Sequence, residues 1–153
     1  MTTLKNGLAV QLDGYGKFRK ECSVLHDGFK PANKAANLEI AQKVSERAVT
    51  NAESQGGVAA FVVPSIVPSG TQTGASIRLG AGGDLTRSDG TTVPAAEVAP
   101  GAEFGSFLPQ FEPFRGNSED AGYFVYPTIR EMQPEIQEMA ENSIQKLIDQ
   151  VAK

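Results

Sequence analysis

Aromatic, glycine and proline residues crowd into one stretch of this chain, and the crowding limits what can be built around it. Ala102-Glu103-Phe104-Gly105-Ser106 leads to Phe111-Glu112-Pro113-Phe114-Arg115-Gly116, then to Gly122-Tyr123-Phe124-Val125-Tyr126-Pro127-Thr128-Ile129-Arg130. Aromatic residues make up only 7% of the sequence, and Trp is absent. A chain so short of large rings gains little by placing them on an irregular segment unless that segment docks onto something.

Directly after this stretch, Thr128 to Lys153 reads as a long helix. Ile136, Met139, Ala140, Ser143, Leu147 and Val151 fall on one side at helical spacing, with Ile144 and Ile148 at its edge. Pro134 suits a first turn or a kink. Glu131, Glu135, Glu138 and Glu141 precede Lys146 and Lys153, the order a helix dipole favours. The polar residues read as the solvated face of a core-packed helix, with a partner-binding helix as the second reading.

Upstream, Leu8, Val10 and Leu12 alternate with polar or small residues, the period of a half-buried strand. Asp13-Gly14 breaks it, and Asp13 suits a helix cap. Tyr15, Phe18, Cys22 and Leu25 then share one face of a short helix that ends at His26-Asp27-Gly28, which makes Cys22 a core residue. A longer helix runs from Pro31 to about Gln55, with Leu38, Ala41, Ala48 and Ala52 as its stripe, widened by Ile40, Val44 and Val49. Small side chains dominate that stripe, so the helix can approach a sheet closely. Gln55-Gly56-Gly57 stops it.

The middle of the chain turns strand-like. Val58 to Val63 reads as a strand ended by Pro64, and Pro64 to Thr73 as a loop. Ala75, Ile77 and Leu79 form a further strand. Gly80-Ala81-Gly82-Gly83 and Ser88-Asp89-Gly90 are turns, Val93 to Val98 pairs back, and Tyr123 to Tyr126 forms an aromatic strand. There is no internal repeat and no domain boundary. The expectation is one α+β domain over residues 1–153, large enough for a real core. Its antiparallel sheet has about four or five strands, flanked by the long central helix and the C-terminal helix, and residues 64–100 form an extended loop or hairpin arm.

Catalytic material is sparse. Cys22 and His26 are the single cysteine and histidine, which leaves no intramolecular disulfide, no thiolate cluster and few zinc sites. Gly80-Ala81-Gly82-Gly83-Asp84 lacks the Lys-Ser/Thr of a phosphate-binding loop, and Asp84 to Thr91 does not match a calcium loop. A Ser-His-Asp triad would need His26, without any Gly-x-Ser-x-Gly elbow. The chain therefore reads as no enzyme, with no cofactor and no metal. A small hydrolase acting through Glu103 or Glu112 is the alternative, and it calls for a perturbed carboxylate in a cleft. A peptide-binding adaptor with an open sheet edge is a third reading.

A net charge of −4 argues against general nucleic-acid binding, but suits a surface past which DNA slides. Neither a signal-like N-terminal run nor an apolar run of about 18 residues appears, so a cytoplasmic setting without a membrane span is expected. Glu103-Phe104-Gly105 is better explained without catalysis, and two readings stand level, the first an inter-subunit contact. Phe104 would fill a neighbour's pocket and Glu103 would meet Arg78, Arg87 or Arg115. The competing reading is a strand end, with Phe104 in its own core and Glu103 in water. The candidate interface residues are Arg78, Glu103, Phe104, Phe111, Phe114 and Arg115.

Ser76-Ile77-Arg78, Glu103-Phe104-Gly105-Ser106, Pro113-Phe114 and Tyr126-Pro127-Thr128-Ile129 occur in an order that resembles the tail-completion or head–tail joining proteins of long-tailed bacteriophages, the minor tail protein Z type. The likeness runs over roughly residues 8–150. The family commonly carries Pro-x-x-Thr-Gly-x-Leu before the Ser-Ile strand. Here Pro68-Ser69-Gly70-Thr71-Gln72-Thr73-Gly74-Ala75 stands there, with Ala75 where a leucine is usual. The resemblance implies a homo-oligomer, a hexameric ring at the head-proximal end of the tail. It would meet the tail-tube or terminator protein on one side and the head connector or stopper on the other, with DNA passing through the lumen. It also implies a virion protein assembled in the host cytoplasm. A tail terminator capping the tube is the neighbouring role.

Overall fold

Helix α1, Phe29–Gln55, is the longest element and the one against which most others are laid. The structure, a computed structural model, describes residues 2–4, 7–11, 29–116 and 119–151. The expected cap at Asp13, the short helix from Tyr15 to Leu25, Cys22 and His26 all lie outside the described residues. Strands β1 (Thr2–Leu4), β2 (Gly7–Gln11), β3 (Val67–Gly70) and β4 (Ala75–Leu79) pair antiparallel in the order β1-β2-β4-β3. Val10 stands opposite Ile77, and Ile77 opposite Pro68. Strands β5 (Asp84–Thr86) and β6 (Thr92–Pro94) form a separate hairpin. The class is α+β, as expected.

β4 alternates as its sequence does: Ala75, Ile77 and Leu79 are buried, while Ser76 is half-buried and Arg78 exposed. α1 supplies the other half of that core through Ile40, Ala41, Val44, Ala48 and Ala52, which recur on one face. Their small volumes let β3 come so near that a Cβ on Gly70 would collide with the Leu38 backbone. The Asn37 Nδ2 atom donates to the Thr71 carbonyl at 2.7 Å and fixes the β3–β4 turn on the helix. Residues 64–100 are thus divided. The first part packs on α1 and the sheet, and the β5–β6 hairpin follows.

Several local expectations need correcting. Val58–Val63 is no strand: helix α2, Gly57–Phe61, and a 3-10 turn, Val63–Ser65, occupy it. Six apolar residues in a row carry no period that separates strand from helix. Gly56 and Gly57, at φ 72° and 57°, turn the chain so that Ala59 and Val62 are buried. The loop expected over Pro64–Thr73 contains that turn and β3. The Val93–Val98 strand ends at Pro94, where helix α3, Ala95–Phe104, begins. Ala95, Ala99 and Ala102 are its buried stripe, hidden in the sequence by the interior Pro100. Gly80, at φ 84°, lies under this helix, where a Cβ would come within 3.1 Å of Ala96 Cα.

The aromatic strand at Tyr123–Tyr126 is likewise a helix start. Helix α4 spans Val125–Glu131 and α5 spans Gln133–Val151. The expected single C-terminal helix is therefore broken at Met132, one residue before Gln133-Pro134. A proline there clashes with the carbonyl four residues back and lacks the N–H that would continue the ladder. The apolar stripe of α5 is buried only in its first half, at Ile136 and Ala140. Ser143, Ile144 and Leu147 are half-buried and Ile148 is exposed. Lys43 and Glu135 pair at 2.6 Å between α1 and α5.

Candidate functional site

α3 ends at Gly105, whose φ of 74° turns the chain out into the loop that returns at Gly122. Only glycine serves at Gly105, because a Cβ there would run into the Pro113 carbonyl and the Glu112 carbonyl oxygen. The loop is closed by its own hydrogen bonds. The Ser106 N–H donates to the Glu112 carbonyl at 2.9 Å and the Arg115 N–H to the Phe104 carbonyl at 2.5 Å. Gly122 N–H donates to the Arg115 carbonyl at 3.0 Å, and the Tyr123 hydroxyl to the Pro113 carbonyl at 2.7 Å. The Arg115 guanidinium lies 4.8 Å from the centre of the Tyr123 ring. These bonds hold residues 105–116 compactly against the start of α4.

Glu103 fastens the loop to the body. Its side chain is fully buried. Oε2 accepts from the N–H groups of Phe124 at 3.3 Å and Val125 at 2.9 Å, and Oε1 accepts from Tyr126 at 2.9 Å. These are donors at the start of α4, whose own N-cap position, Phe124, offers no side-chain cap. A carboxylate 21 residues upstream of Phe124 does the capping instead. Gly122 lies against it, and a Cβ there would strike Oε1. Burial is the stronger influence on Glu103 and holds its carboxyl above the ordinary glutamate value. The N–H groups of Tyr126, Val125, Phe124 and Tyr123 oppose that rise.

A perturbed carboxylate was the signature asked of a hydrolase. Here, however, the carboxyl meets no solvent and its lone pairs are occupied by the helix start. A general acid or base must reach its substrate. Glu112 is exposed on the loop. Among the described residues no three His, Cys, Asp or Glu side chains gather to hold a metal ion. None of the described helices is long and apolar enough to cross a membrane.

The expected interface residues separate into three groups. Glu103 and Phe104 are inside their own subunit, so neither the neighbour's pocket nor the arginine partner applies to them. Phe104 is 9% exposed and packs edge-on against Tyr126 at 5.2 Å. The strand-end alternative placed Phe104 correctly in its own core, but it put Glu103 in water. Phe111 is half-buried, close enough to α3 that a Cβ on Gly101 would sit 2.8 Å from its ring. Phe114, Arg115 and, on β4, Arg78 are exposed.

Phe107 and Leu108 escaped the sequence reading although they lie in the same crowded stretch. Phe107 is 94% exposed and stacks on Phe114, with ring centres 6.1 Å apart, and Leu108 stands exposed beside Phe107 in sequence. Their neighbours, Ser106 and Pro109, carry no period, so position alone did not distinguish them from core aromatics. Phe107, Leu108 and Phe114 are thus exposed large apolar side chains on one loop. No family model matches this chain, and neither curated proteins nor solved structures give a match.

Proposed function

We propose that this chain is a structural virion protein of a long-tailed bacteriophage, one subunit of a ring at the head-proximal end of the tail. There it joins the tail tube, or its terminator, to the head connector or stopper. The ring is homo-oligomeric, six subunits by the resemblance, and DNA passes through its lumen without specific binding. On this reading β1-β2-β4-β3 serves as the single sheet of four or five strands, with α1 and α5 as its flanking helices. The chain then acts by fitting against other shell components, with no catalysis, cofactor or membrane, in the virion and, during assembly, in the host cytoplasm.

One observation carries this reading: a loop locked by Glu103 and its own backbone holds Phe107, Leu108 and Phe114 in solvent. Burying one such phenyl ring in a partner is worth about 1.5–3 kcal/mol, and a pre-formed loop loses little conformational freedom on docking. The second half of α5, with Ile144 and Leu147 half-buried and Ile148 exposed, offers a further apolar edge. The order of short motifs from Ser76-Ile77-Arg78 to Tyr126-Pro127-Thr128-Ile129 supplies the family.

Electron microscopy of particles made without the protein tests the reading. Filled heads and tails of normal length should accumulate unjoined. Normal joined virions contradict the proposal, and overlong tail tubes assign the chain to the terminator role instead.

A further inference from the structure

A cavity of about 650 Å³ opens between α2, α3, the β5–β6 turn and the 105–116 loop. Val58, Phe61, Val98 and Phe111 give it an apolar lining, and Arg87 and Asp89 stand on the hairpin turn beside it. Asp89 is fixed there by Thr91, whose N–H and Oγ1 donate to Oδ1 at 2.9 and 2.6 Å. Those bonds hold its carboxyl below the ordinary aspartate range, so the turn presents one lasting negative and one positive charge. The chain also carries a matching projection. Phe107, Leu108 and Phe114 protrude, and the exposed Glu112 and Arg115 flank them in the loop.

An apolar hollow edged by one base and one acid thus occurs on the same molecule as an apolar knob edged by one acid and one base. Gln110 and Phe111 of the knob's own loop form one wall of the hollow, so the two adjoin, and a second copy offers the acid and the base that match each of them. We infer that the Phe107–Phe114 loop of one copy seats in the hollow between α2, α3 and the hairpin turn of another, with Glu112 facing Arg87 and Arg115 facing Asp89. Both surfaces are fixed before contact, the knob by the Glu103 clasp and the turn by Thr91, so complementarity is not spent on ordering. Two copies exchanging knobs form a two-fold pair, and copies passing them onward form a ring. The inference rests on the proposed function only in that copies of the chain meet.

Single-cysteine proteins in a Cys22→Ser background test it, since Cys22 is the only native thiol. One carries Ser88→Cys on the hollow, and the other carries Leu108→Cys on the knob and a mass tag. Mixed and oxidised at high concentration, they should form the Ser88→Cys/Leu108→Cys disulfide about tenfold faster than either matched pair, because seating raises the local thiol concentration. Adding Phe107→Ser to the knob protein should remove that preference while its circular dichroism stays unchanged, since Phe107 is solvent-exposed. A mixed disulfide no faster than the matched ones overturns the inference, and so does indifference to Phe107→Ser. A wild-type mass by light scattering that stays monomeric at every concentration also overturns it. These measurements use purified protein, so their failure leaves the joining test on particles standing, and the reverse holds.

Discussion

Where α1 meets β3 and β4, contact is made by Ile40, Ala41, Val44 and Ile77, all essentially without solvent exposure. Where the end of α3 meets the start of α4, the polar contact is one carboxylate and three backbone N–H groups, beside a single ring contact between Phe104 and Tyr126. The first contact spreads its energy over many small dispersion terms and apolar area, so neighbours share each loss. The second concentrates its energy in one side chain, and removing it strands buried donors that have no substitute. The body is therefore tied to global folding, and the clasp to the shape of the loop it closes.

Truncating the body should give the largest effect. Ile77→Ala is expected to lower unfolding free energy by about 4 kcal/mol in chemical denaturation. Amide exchange should quicken in α1, β4 and the loop together. Glu103→Ala comes next, at about 3 kcal/mol for the stranded donors. Its exchange should quicken over residues 105–124 well before α1 responds. Equal acceleration in both regions would merge clasp and body into one cooperative unit.

The third effect is a pH dependence. The Glu103 carboxyl is raised in the folded chain, so it binds its proton more tightly folded than unfolded. Its contribution is whole below the ordinary glutamate value of about 4.3, and it is lost as pH rises through the raised folded value. The stability of the wild type relative to Glu103→Gln should fall across that window. A carboxyl-carbon NMR titration of Glu103 should have its midpoint above the ordinary value. A midpoint at or below it would mean that the N–H groups outweigh burial.

The smallest effect joins the two regions. Thr128 Oγ1 donates to the Phe124 carbonyl at 2.5 Å and accepts from Asn51 Nδ2 at 2.7 Å, pinning α4 to α1. Thr128→Val should cost about 1 kcal/mol and loosen α4 without opening the loop.

The contrast also explains what the sequence made legible. Periodicity located α1 and β4 because burial on one face leaves a 3.6- or 2-residue pattern, and the small residues of α1 foretold the close approach that Gly70 completes. It misread Tyr123–Tyr126, because a helix capped by Glu103 from far upstream shows no Ser, Thr, Asp or Asn at its start. It missed α3 because Pro100 interrupts an alanine stripe that would otherwise read plainly. At the candidate site, the crowded stretch was legible as irregular and aromatic, and of the residues expected at a subunit interface Phe114 and Arg115 are exposed. Glu103 and Phe104 were placed at a contact, because an acid beside a phenylalanine and a glycine looks the same whether it caps a helix or meets a neighbour.

The central proposal is that this chain is a shell component whose clasped loop offers its apolar patch to another. The most direct measurement is the fraction of joined particles made with a Phe107→Ser/Phe114→Ser protein whose thermal unfolding matches wild type. The account predicts separated heads and tails from this fully folded variant. Joined, infectious particles at the wild-type level would contradict it.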